Sequence, residues 1–158
     1  MWKRRVILEY ESLAFGSIFL RVLILALSFA LLVSCSDDTK VENSEKQITV
    51  ETGRKFAQDL VSGSFADAQL LLTQKLQKEY SPEGLAARFR KMTEYWHGQP
   101  AKVDDHFEFM DEWPARQSKD IGWAYISISS DDYLEAVTVV VTDENGSPKI
   151  RAIEWGRP

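Results

Sequence analysis

The chain is poor in cysteine, histidine, glycine and proline: one Cys, two His, eight Gly and five Pro in 158 residues. A single cysteine excludes an internal disulfide framework and any cysteine-rich zinc site. So little Gly and Pro excludes a collagen-like fibre and a low-complexity chain. Basic residues are in deficit, 19 Lys and Arg against 24 Asp and Glu, for a net charge of −5. That balance argues against nucleic acid as a partner, because such binders carry a basic surface. Apolar runs of spanning length do not recur, which excludes a multi-span membrane protein. GxSxG, P-loop, dinucleotide, HExxH and cysteine–histidine signatures are missing, so no catalytic residue, metal ligand or cofactor is assigned. What is present, 44% hydrophobic and 27% charged residues, suits one folded domain.

The strongest signal lies near the N-terminus. Lys3, Arg4 and Arg5 open the chain, and Arg21 precedes the run Val22 to Val33, in which only Ser28 is polar. Leu32-Val33-Ser34-Cys35 follows. A basic start, a short apolar segment and small residues before a cut are the parts of a secretory signal. A retained spanning helix would need about 20 apolar residues, and Leu13 to Ser34 reaches that length only with Arg21 near its middle. An arginine there costs at least ~2.5 kcal/mol. A buried helical cysteine is disfavoured by the polar stretch Ser36-Asp37-Asp38-Thr39-Lys40.

The four residues ending at Cys35 resemble a bacterial lipobox. The resemblance implies removal of residues 1–34 as a lipoprotein signal peptide, with diacylglycerol on the Cys35 thiol and an acyl chain (typically palmitate) on its new amino terminus. The membrane is then a partner through these acyl chains. Loss of four basic and two acidic residues with the leader takes the net charge from −5 to −7, so anionic head groups would repel the domain and anchoring falls to the lipid. Ser36, the residue after the cysteine, favours the periplasmic face of the outer membrane over the inner membrane within that family.

Residues 35–47 are polar and lack aromatics, which predicts a flexible tether. Residues 48–158 hold the periodic segments. Val50, Phe56, Leu60 and Val61 predict a first helix stopped by Gly63; Ser64 opens a second with Phe65, Ala68, Leu71, Leu72 and Leu76. Ser81-Pro82-Glu83 starts a third, whose apolar face Leu85, Phe89, Met92 and Trp96 continues to Gly98. Strands are expected around Val103–Phe109, Gly122–Ser129, Tyr133–Thr142 and Pro148–Trp155, with Asn145-Gly146 as a hairpin turn. Helices followed by strands predict an α+β fold, with helices on one face of a curved, mainly antiparallel sheet of about four strands.

That order resembles the NTF2-like, cystatin-like fold, which implies a cone-shaped cavity between helices and sheet. Strict alternation would place Asp105 with Val103, Phe107 and Phe109, where a carboxylate against apolar walls could act as a base; solvent exposure at the strand start is the plainer expectation. Trp96, Asp105, Phe107, Trp123, Tyr125 and Trp155 form the candidate pocket, with core packing as the alternative role for its aromatics. Asp104, His106 and Glu108 carry metal-ligand chemistry, but alternate strand residues stand about 6.5–7 Å apart, so a solvated face is expected. His97 is expected at a helix end. The lipobox resemblance, the polar tether and the lack of a catalytic motif point to a lipid-anchored, non-catalytic module binding an envelope protein or a small apolar ligand. A cavity enzyme of the isomerase or hydrolase type is the alternative.

Overall fold

Apolar residues at helical and strand spacing sort the chain into two layers. A computed structural model describes residues 38–157, with side chains from Asn43 onward; Cys35 and the leader lie outside them. The layers belong to the unit Val41–Pro158. Its elements are helix α1 (Asp38–Val61), helix α2 (Phe65–Leu70), helix α3 (Gln74–Glu79), helix α4 (Pro82–Met92), a 3₁₀ turn (Glu94–Trp96), and strands β1 (Lys102–Met110), β2 (Asp120–Ser129), β3 (Leu134–Glu144) and β4 (Ser147–Trp155). The strands form one antiparallel meander in the order β1-β2-β3-β4. The expected α+β class is therefore the observed one.

Residues 38–47, which fall in the expected tether, belong to helix α1 (Asp38–Val61). Neither Gly nor Pro occurs from Asp38 to Thr52, and Gln47 donates to Glu51 one turn on. A segment whose single apolar residue is Val41 can thus extend a helix whose buried face starts later, at Thr49 and Val50.

The expected second helix is two short ones. Between them Thr73 N donates to Ile150 O at 2.9 Å and Ile150 N to Leu71 O at 2.8 Å, a parallel bridge that draws Leu72 onto β4. Leu72 is fully buried there. Tertiary backbone pairing breaks the helix, and the Thr73 side chain restarts it by accepting from Leu76 N. At α4 the expected start holds: the Ser81 hydroxyl accepts from Gly84 N at 3.1 Å and Pro82 needs no amide partner. This helix ends at Met92, and Trp96 rides on the 3₁₀ turn instead.

The core lies between the helices and one sheet face. Phe56, Ala57 and Leu60 of α1 and Leu85 of α4 join Ala124, Ile126 and Ile128 of β2 and Val137, Val139 and Val141 of β3, all essentially inaccessible. Burying such a side chain contributes about 1.5–3 kcal/mol. Trp155 packs edge-on against Phe56 with ring centroids 6.3 Å apart, and Trp96 stacks on Tyr133 at 6.4 Å. The β3–β4 turn carries Asn145 at φ 58° and Gly146 at φ 80°, the pair of positive angles that a two-residue type I′ turn requires.

Glycine is required at position 122 for a different reason. A Cβ there would meet Phe109 Cε2 and Thr49 Oγ1, each at 2.5 Å. Thr49 is fully buried in the helix–sheet layer, and Phe109 is half-buried on the edge strand β1. Gly122→Ala is expected to destabilise the domain by about 1–3 kcal/mol through overpacking. Urea denaturation of the two proteins measures it, and a loss below ~0.5 kcal/mol would show that the layer yields freely.

Candidate functional site

Strand alternation gives the sheet two chemically different faces. Ala124, Ile126 and Ile128 point at the helices, whereas Trp123 and Tyr125 point the other way and do not join the core under the helices. The opposite face is made of Trp123, Tyr125, Thr138, Val140 and, at the β1 edge, Glu108 and Met110, which pair with Tyr125 and Trp123. Val140 and Thr138 are buried between their neighbours, while Trp123 and Tyr125 remain half-exposed. Burial raises the Tyr125 phenol above its ordinary pKa; Arg157 opposes this, and Glu108 and Glu135 add to it.

The six candidate pocket residues are therefore not brought together. Trp96 is buried beneath Tyr133, and Trp155 lies on the helix side against Phe56. Phe107 covers the sheet edge on that same side, with the guanidinium of Arg54 5.1 Å and the ammonium of Lys46 5.9 Å from its ring centre. Trp123 and Tyr125 occupy the far face. One strand cannot send successive residues to one side, so the β2 pair and the helix-side aromatics were bound to separate.

Asp105 departs from strict alternation. Between the pairs Val103–Ile128 and Phe107–Ile126, three residues of β1 stand opposite Ser127 alone. Asp104 keeps the far face that alternation gives it and accepts there from Ser127 Oγ at 3.0 Å and Ser129 Oγ at 2.6 Å. Asp105 is left fully exposed at the edge, its carboxylate 3.7 Å from Arg54 and its carbonyl accepting from Arg54 Nη2 at 2.7 Å. It does not lie among apolar walls. The His106–Glu108 contact is long, 3.9 Å between two largely exposed side chains, and no metal-ligand cluster occurs among the described residues. His97 follows the 3₁₀ turn at φ 53°, a left-handed residue ending the helical half.

A site that the sequence reading missed lies at the end of the sheet. Asp120, with a fully buried side chain, is held by Arg151 through both carboxylate oxygens and accepts from Gln117 N at 2.7 Å. Burial works to raise its pKa, but Arg151 and the Gln117 amide outweigh it and hold the carboxyl below its ordinary value. Beside this pair is an open cleft of about 370 Å³, walled by Thr73 and Lys75, by Gln117–Lys119, and by Thr142, Glu144 and Arg151. Positions 75, 119 and 151 are far apart in sequence and share no motif, so no spacing marked them. A second cleft, about 280 Å³, lies between α4 and the end of β4, lined by Arg88, Lys91, Met92, Glu135 and Trp155.

Comparison with known families, curated proteins and solved structures finds no match for this chain.

Two outcomes follow from this geometry. Asp105→Asn should leave stability at pH 7 within about 0.5 kcal/mol, since the Arg54 hydrogen bond is to the backbone and the side chain is solvated; a clear gain in a urea melt would mean that the carboxylate is desolvated. Arg151→Met should cost about 3–5 kcal/mol at pH 7, because it strands Asp120 as a buried charge. In the native protein the depressed Asp120 pKa contributes stability above the unfolded value near ~3.9, lost as pH falls through the folded pKa. In the variant burial is no longer offset by the Arg151 charge, the pKa rises, and the deficit should shrink between pH 7 and pH 4. Equal deficits at the two pH values would place the cost in packing instead.

Proposed function

We propose that this protein is a lipid-anchored envelope protein whose α+β domain binds a partner rather than catalysing a reaction. The observation that carries the proposal is the sequence Leu32-Val33-Ser34-Cys35 closing the apolar run Val22–Val33. Such a motif presents a thiol for acylation at the point where the leader is removed. Acyl chains on Cys35 would attach the protein to the membrane, and Ser36 favours the outer membrane facing the periplasm.

The element order, helices and then a four-stranded meander, supports an NTF2-like reading of the domain. In that fold the space between helices and sheet is the usual cavity. Here Phe56, Leu60, Leu85 and Trp96 occupy the helix side of the sheet, each at most 1% exposed, which favours binding at a surface over chemistry in an enclosed chamber. The enzyme alternative drew on Asp105 in an apolar setting, and that residue is exposed. The sheet face bearing Trp123 and Tyr125 offers an aromatic surface for an envelope protein or a small apolar ligand.

Cys35→Ala should abolish incorporation of a clickable fatty acid and leave the leader uncleaved by the lipoprotein-specific peptidase. Metabolic labelling with gel-shift analysis reads both. Label retained on the alanine variant would overturn the anchoring proposal.

A further inference from the structure

The cleft at the end of the sheet has an uneven supply of hydrogen-bonding groups. Two carboxylates stand in its surroundings, one neutralised by an arginine and one held by a backbone amide. Asp120 is taken by Arg151 and by the Gln117 amide. Glu144, from β3, accepts from Gln74 N with both oxygens, at 3.1 and 3.3 Å. The donors are in a different position. Arg151 commits Nε and Nη2 to Asp120 and to Ala115 O, and its Nη1 has no hydrogen-bond partner among the described residues. Lys75 and Lys119 form no ion pair with a described residue, although both line the cleft.

The walls are held in place by backbone, not only by side chains. Lys119 O accepts from Asp143 N and from Thr142 Oγ1, each at 2.9 Å, which pins the β1–β2 loop to β3. Thr73 N is pinned to β4 through Ile150 O. Three cationic side chains from three separate segments thus border one cleft, against the Asp120 carboxylate that Arg151 already neutralises and the single lining carboxylate Glu144, on a chain of net charge −5. A fixed guanidinium with a free nitrogen, flanked by two ammonium groups, complements an anion with several oxygens.

We infer that the cleft bordered by Lys75, Lys119 and Arg151 is a binding site for an oxyanionic group, carboxylate or phosphate, of a small ligand. Lys75 and Lys119 provide mobile charge-assisted donors, and Arg151, oriented by Asp120, provides a rigid one. The site is independent of the aromatic sheet face and of the anchor.

Isothermal titration of the full chain in non-ionic detergent with inorganic phosphate and, separately, with citrate tests this. Saturable binding of either is expected, and which one binds tells phosphate from carboxylate recognition. Lys75→Ala and Lys119→Ala should each weaken that binding about tenfold, the loss of one charge-assisted contact, while Lys119→Arg should largely retain it. Lys91→Ala, in the other cleft, should leave it unchanged, and unaltered melting temperatures establish that the variants fold. No saturable binding of either anion would overturn the proposal. So would equal weakening by Lys91→Ala, which would reduce the effect to overall charge.

Discussion

Everything in this domain depends on one face of the β2–β3 pair being covered by α1. Ile126, Ile128, Val137 and Val139 can leave water together only if a helix lies across them, and Phe56, Ala57 and Leu60 supply that cover. The remaining helices extend it: Leu72 and Leu76 close over β4, and Leu85 and Met92 over the far end. Removing apolar area from water at roughly 25 cal/mol per Å² is what pulls these elements into register. A one-residue slip of β2 would turn Trp123 and Tyr125 inward and Ile126 outward, so the same burial also specifies the strand pairing.

Polar groups then fasten what burial has brought together. The Asp120–Arg151 pair joins the start of β2 to β4 across β3, and the Leu71–Ile150–Thr73 bridge joins the helical layer to the sheet edge. At the other end Glu135 of β3 accepts from the Tyr95 hydroxyl and from Arg157 N, tying the 3₁₀ turn to the C-terminal residues. These contacts are worth less than the core in sum, but an unpaired buried charge would be costly, so they restrict the alternatives. They also explain the placement of the clefts. Each cleft borders one of these fastenings, where backbone ends leave space that apolar side chains do not fill.

The functional surfaces follow from that division. The helix side of the sheet is consumed by packing, whereas the opposite face and the two clefts described border solvent. The aromatic face and the cationic cleft differ in chemistry, one suited to apolar contact and the other to charge, and they lie on different parts of the sheet. A protein held at a membrane by acyl chains would not need its own surface for attachment, and both areas would remain free for recognition.

Much of the fold was legible from the sequence because it rests on local periodicity. The Ser81-Pro82 helix start, the four strands and the Asn145-Gly146 turn were readable within a few residues of each other, and the lipobox resemblance is local as well. Most of what local spacing does not show is non-local. The break at Leu71–Thr73 comes from pairing with Ile150, and the scatter of the candidate pocket residues comes from which sheet face each strand turns to the helices; the exposure of Asp105 is the plainer of the two expectations for it. The long polar start of α1 shows that the lack of an apolar face does not by itself end a helix. Sequence alone determined the class, the order of elements and the apolar residues that must be buried, since those depend on spacing along one segment. Only the tertiary structure decided which aromatics share a face and that Lys75, Lys119 and Arg151 border one cleft, because proximity between distant segments is created by burial and leaves no trace in local spacing.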